Sequence, residues 1–181
     1  MSISTFAIGQ WIDNKWYSET TTDGVTIQNS YPKGGLYDGP VENKFNGSYL
    51  VFYTRVINGT DDPLAFTLNF SSDSIPIPNS SDTFVKLLLP SETKTLEKQN
   101  LPSYGITELQ LSNRPTSFKR NLNPNEDCLF YVVASFYQTK AGEWSQQRGG
   151  NRAELISKGK DLFYSMPPQI ASLRCGHITF K

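Results

Sequence analysis

One histidine, His177, and two cysteines, Cys128 and Cys175, are all the imidazole and thiol groups in 181 residues. The cysteine spacing suits neither a zinc knuckle nor a redox pair. A serine triad would have to use the one histidine, and the chain has no G-x-S-x-G elbow. A phosphate loop of the G-x-x-x-x-G-K-[ST] type is missing as well. No window approaches 18 apolar residues, so no membrane span is expected. The opening residues lack a basic segment followed by an apolar run, so no signal peptide is evident and the cytoplasm is favoured for the chain as it stands. Neither sign of charge dominates: 17 basic residues balance 17 acidic ones. Residues 1–90 carry 5 basic and 9 acidic side chains, and the remainder carries 12 and 8. That mild polarity suits partner docking but not a dedicated nucleic-acid binder. A sustained helical stripe is also lacking; the nearest, AELISKGKDLF, is interrupted by Gly159.

What the chain does have is strand pattern. In PLAFTLNF, residues 63–70, Leu64, Phe66, Leu68 and Phe70 share one face, against Ala65, Thr67 and Asn69; period two marks a half-buried antiparallel strand. In SYLVFYTRVI, 48–57, Leu50, Phe52, Thr54 and Val56 share one face, against Tyr49, Val51, Tyr53 and Arg55; CLFYVVASFYQ, 128–138, is read as a central strand. In the second, Cys128, Phe130, Val132, Ala134 and Phe136 form the expected inner set. Residues 83–90 and 106–112 add strands, 153–157 and 161–165 pair around Gly159, and 175–180 closes the series; TFAIGQWI, NKWYSE and GVTIQ add shorter pieces near the start. The polar stretches 71–82 and 112–127 read as long connections. Eight to ten short strands punctuated by Pro, Gly and Asn predict an all-β, two-layer antiparallel β-sandwich over residues 1–181 as a single domain. Immunoglobulin-like and jelly-roll orders both fit, and a small barrel is the alternative.

Tyr49 and Tyr53 share the non-core face of one long strand, and Tyr131 and Tyr137 that of the other. If the strands are neighbours, these rings either line a ligand surface or stabilise the sheet as cross-strand pairs and lie beneath loops. The segment WSQQRGGNRAELISKGKDLFY, 144–164, raises a parallel choice. Gly149-Gly150 turns the chain tightly, and Arg148 and Arg152 would rise near one another after Trp144. They form either a recognition loop that grips an anion and stacks on a ring or a solvated hairpin turn. Lys158 and Lys160 belong to the next turn, at the far end of a strand that runs only to 157. The Trp11–Trp16 segment is comparable, with a turn at Asp13-Asn14 and tryptophans paired across it.

Cys175 and His177, two apart on one strand, would share a face about 6 to 7 Å apart. That spacing could begin a metal site or a thiol–imidazole pair, although a surface histidine beside a small buried thiol is the ordinary explanation. Glu108 and Glu154 sit in predicted strands and are the acids to consider for glycoside hydrolysis. Four Asn-x-Ser/Thr sequons, at Asn46, Asn58, Asn69 and Asn79, fall in a chain whose 13 asparagines and 34 serines and threonines generate two to three by chance. No cofactor or metal is called for. The expected function is a non-enzymatic binding or assembly module that recognises a protein or a carbohydrate through Tyr49, Tyr53, Tyr131, Tyr137, Trp144, Arg148 and Arg152. The alternatives are a structural homo-oligomeric subunit and a carboxylate-dependent glycoside hydrolase.

Overall fold

Strand pattern in the sequence becomes strand in space. A computed structural model of the chain describes residues 16–36, 45–90, 95–106, 114–140 and 152–181. In chain order the described strands are β1 (Trp16–Thr22), β2 (Val25–Ser30), β3 (Lys33–Leu36), β4 (Phe45–Asn58), β5 (Leu64–Phe70), β6 (Ile75–Pro76), β7 (Thr83–Leu88), β8 (Thr116–Leu122), β9 (Asp127–Gln138), β10 (Glu154–Lys158), β11 (Asp161–Met166) and β12 (Ile170–Phe180). They build two antiparallel sheets packed face to face, a β-sandwich and not a closed barrel. The larger sheet runs β1-β2-β4-β9-β7-β6, with β3 also paired to β4; the smaller runs β10-β11-β12-β5-β8.

The main core lies between the sheets. It takes Phe52 and Val56 from β4, Leu64, Phe66, Leu68 and Phe70 from β5, and the inner set Cys128, Phe130, Val132, Ala134 and Phe136 from β9. The inward faces are those the period-two pattern assigns. Leu155, Leu162, Tyr164 and Met166 complete the core from the β10–β11 hairpin, which turns at Gly159 as expected.

One sequence expectation changes. The stretch 112–127 contains a strand, β8, paired along its length with β5. Its Lys119-Arg120-Asn121 run is exposed because β8 is a sheet edge, where charge is tolerated and blunts further pairing. The strand expected at 106–112 and the early piece TFAIGQWI fall outside the described residues, apart from Ile106.

Buried asparagines hold the corners. Asn29, on β2, is 2% exposed. Its Oδ1 accepts from the Leu155 N–H at 3.0 Å, and its Nδ2 donates to the Leu155 carbonyl at 3.1 Å. One side chain therefore mimics a strand neighbour and joins the larger sheet to the edge of the smaller. Ser18 Oγ and Thr54 Oγ1 complete its bonding at 3.2 and 3.4 Å. Asn58, fully buried at the end of β4, does the same for the crossover to β5: Nδ2 donates to the carbonyls of Asp62 and Leu122, and Oδ1 accepts from the N–H and hydroxyl of Thr60. Its sequon is spent on this turn and offers no free amide.

Removing a partner from a buried polar group costs the desolvation of whatever remains. Asn29→Ala strands the Leu155 N–H and carbonyl and is expected to lower stability by about 3 kcal/mol, read as a drop in denaturation midpoint. A loss below about 0.5 kcal/mol, typical of a neutral surface change, would show that the bridge does not join the sheets.

Candidate functional site, an aromatic and cationic rim

Tyr53 and Tyr131 stand directly opposite one another on β4 and β9, and Tyr49 faces Ser135. They are not open to solvent. Tyr53 and Tyr131 are fully buried in a second, smaller core on the outer face of the larger sheet, with Val51, Leu88, Val133, Tyr104 and Ile106. Of the two readings the sequence leaves open for these rings, Tyr53 and Tyr131 take the second, sheet pairing beneath a covering segment. Tyr137 belongs elsewhere. Its ring stacks on Phe84 at 5.7 Å and its hydroxyl donates to Ser74 Oγ at 2.6 Å.

The cover is a strap of two 3-10 turns, Leu96–Asn100 and Pro102–Gly105. Ser103 and Tyr104 have φ of 46° and 53°, followed by Gly105 at 75°, so three consecutive residues take the left-handed region. Glycine adopts it freely; the other two do so at a steric cost. Contacts hold them there. Tyr104 stacks on Tyr53 at 5.6 Å and on Tyr131 at 6.3 Å, and Tyr131 Oη donates to the Tyr104 carbonyl at 2.8 Å. Tyr49 Oη and Ser103 Oγ share a hydrogen bond of 2.9 Å. Lys33 Nζ donates to the Leu101 carbonyl at 2.9 Å and lies 4.5 Å from the centre of the Tyr104 ring.

Three large hydrophobic side chains on the described surface are exposed. Tyr31, at the bend between β2 and β3, is 51% exposed; Leu36 is 68% and Leu101 46% exposed. Tyr31 is tied to the strap, because the Tyr104 hydroxyl donates to its carbonyl. On its other side the ring meets Tyr17 at 5.5 Å. Tyr17 in turn lies under the exposed Arg152 guanidinium, 5.9 Å from its centre, and donates its hydroxyl to the Ala153 carbonyl. Arg152, Tyr17 and Tyr31 thus make one continuous rim where β1, the β2–β3 bend and the start of β10 meet. Of the residues expected to bind, this rim contains Arg152; Trp144 and Arg148 lie outside the described residues, as do Trp11 and Glu108. Lys158 sits at the opposite end of β10 from Arg152, over the Phe163 ring at 5.1 Å. Tyr17, Tyr31 and Tyr104 were not singled out in the sequence. The available signal was that β4 and β9 are apolar on both faces, which demands a second cover.

The Cys175–His177 pair does not form. Phe163 pairs with Arg174 while its neighbour Leu162 pairs with Gly176, so Cys175 is an extra residue in a β-bulge. The bulge turns Cys175 into the core, and His177 stays outside, opposite Asp161. Gly176 is required next to it, since a Cβ there would meet the Thr67 carbonyl oxygen at 2.0 Å. Burial pushes both the Cys175 and the Cys128 thiol up to about 12, away from nucleophilic character. Both are unpaired. Among the described residues no three His, Cys, Asp or Glu side chains gather as a metal site, and no helix is long and apolar enough to cross a membrane. Glu154 is half-buried on β10, opposite Ser165. Comparison of the chain with protein-family models, curated sequences and solved structures finds no match.

Burial raises the phenols of Tyr17, Tyr53, Tyr104 and Tyr164 above their ordinary value of 10.0; the Glu154 charge adds to this at Tyr17 and the Asp127 charge at Tyr53. A folded-state value above the unfolded one means that the contribution to stability is fully present below the unfolded value and is lost as pH climbs past it. The fold is therefore expected to fail on the alkaline side, between the ordinary phenol value and the raised ones. Part of the phenolate absorbance should appear only as the far-ultraviolet circular dichroism collapses. Complete ionisation near the ordinary value with the sheet signal intact would contradict the burial of these rings.

Proposed function

We infer that the chain works by recognition and not by catalysis, as a binding or assembly module whose contact surface is the Arg152–Tyr17–Tyr31 rim with Leu101 at its flank. The observation that carries this reading is the exposed Tyr31 ring in line with a second tyrosine and an arginine. Tyrosine and arginine dominate the energetics of protein interfaces: tyrosine brings large contact area, a polar tip and few rotatable bonds to freeze, and arginine a planar fork of donors. A guanidinium already stacked on a ring is also pre-organised for a carboxylate. A protein partner is favoured over a carbohydrate because the exposed Leu101 side chain offers branched aliphatic surface. Sugar sites pair flat rings with hydrogen-bonding groups instead. Trp144 and Arg148, which precede Arg152 in the sequence, are proposed as part of the contact. Self-association through the rim is the assembly form of the same reading.

Peptide and glycan arrays probed with the intact chain, together with light scattering over a concentration series, identify the ligand class. Tyr31→Ser combined with Arg152→Ala is expected to weaken the interaction by at least tenfold, about 1.4 kcal/mol, with the thermal midpoint within a few degrees of the parent. Unchanged affinity would remove the rim from the account.

A further inference from the structure

The outer face of the larger sheet holds a ring site that the chain fills with its own Tyr104. The groups that receive its ring, hydroxyl and carbonyl come from outside the strap. Tyr53 and Tyr131 stack on the ring, and Trp16 stacks on Tyr53 at 6.0 Å and 10°. The Tyr31 carbonyl accepts the phenol proton, and the Tyr131 hydroxyl donates to the backbone carbonyl of residue 104. Ring, hydroxyl and main-chain carbonyl are thus each read separately, which is recognition of a tyrosine residue within a polypeptide.

The strap that delivers the ring is poorly built to hold it alone. Its internal backbone hydrogen bonds include the 3.1 Å bonds of short turns, from the amides of Lys98, Leu101, Tyr104 and Ile106 to the carbonyls of Thr95, Lys98, Leu101 and Ser103. Two L residues sit in left-handed backbone at its tip. Nor does Tyr104 satisfy the site completely: the Tyr53 hydroxyl is fully buried without a hydrogen-bond partner among the described residues. We propose that residues 95–106 are a built-in competitor, and that a tyrosine on a partner polypeptide takes the place of Tyr104 when the strap lifts.

The rim's affinity is not involved in the test, so the two readings fail separately. Amide hydrogen exchange is followed on the intact chain, with p-cresol as the free tyrosine side chain and toluene as its counterpart without a hydroxyl. The amides of Leu101, Tyr104 and Ile106 are expected to exchange at least about 100-fold faster than those of Tyr53 and Tyr131, through opening of the strap alone. Added p-cresol should speed the strap amides further by trapping the open form, leave β4 and β9 unchanged, and exceed toluene in effect. Tyr104→Ala should bind p-cresol with chemical-shift changes at Tyr53 and Tyr131; should this variant not fold, the exchange data on the parent decide alone. Strap amides that exchange in step with β4 and β9, indifference to p-cresol, or an equal response to toluene would each overturn the proposal.

Discussion

The β4–β9 pair is buried on both sides, and that constraint organises everything around it. A strand can alternate core and solvent only if one of its faces is polar. Here Phe52 and Val56 point one way while Val51 and Tyr53 point the other, and β9 repeats the pattern with Phe130 and Val132 against Tyr131 and Val133. One face is closed by the smaller sheet. The other has no third sheet among the described residues and is closed by the strap, which is why a short segment of 3-10 turns with costly backbone geometry persists there. Full burial of each large side chain is worth about 1.5–3 kcal/mol, more than enough to offset that geometry. The same arrangement explains why the tyrosines in the middle of the sheet are structural and why the exposed one, Tyr31, stands at the border of the cover.

Corner chemistry is the second theme. A sandwich leaves polar edges wherever two sheets meet, and an unpaired backbone group in such a seam is expensive. Asn29 and Asn58 solve this with an amide, the side chain whose donor and acceptor best imitate the backbone. Placing Asn29 beside Leu155 also fixes the start of β10, which in turn sets Arg152 over Tyr17. The rim is therefore a by-product of how the sheets are joined, and its geometry depends on residues that do not take part in it.

Much of this was legible in the residues and some was not. Period two assigned the inner faces of β4, β5 and β9 and the β10–β11 turn, because a buried face leaves register little freedom. The Cys175 bulge was invisible: one extra residue does not change composition, yet it reverses the facing of a strand and separates Cys175 from His177. β8 was hidden because an edge strand carries charge, as Lys119 and Arg120 do. The strap has no periodic signature at all, since two 3-10 turns are too short to show one. The rim joins residues 17, 31 and 152, which only the fold brings together.

The central claim is that the accessible aromatic surface lies at the rim and not on the middle of the sheet. Nitration of the native chain, mapped by mass spectrometry, tests it most directly. Tyr31 should be modified early, Tyr53 and Tyr131 far more slowly and only through opening of the strap, and Tyr164 only when the fold is lost. Modification of Tyr53 and Tyr131 at rates comparable to Tyr31 would contradict it, because the sheet face would then be open and the strap would not be its cover.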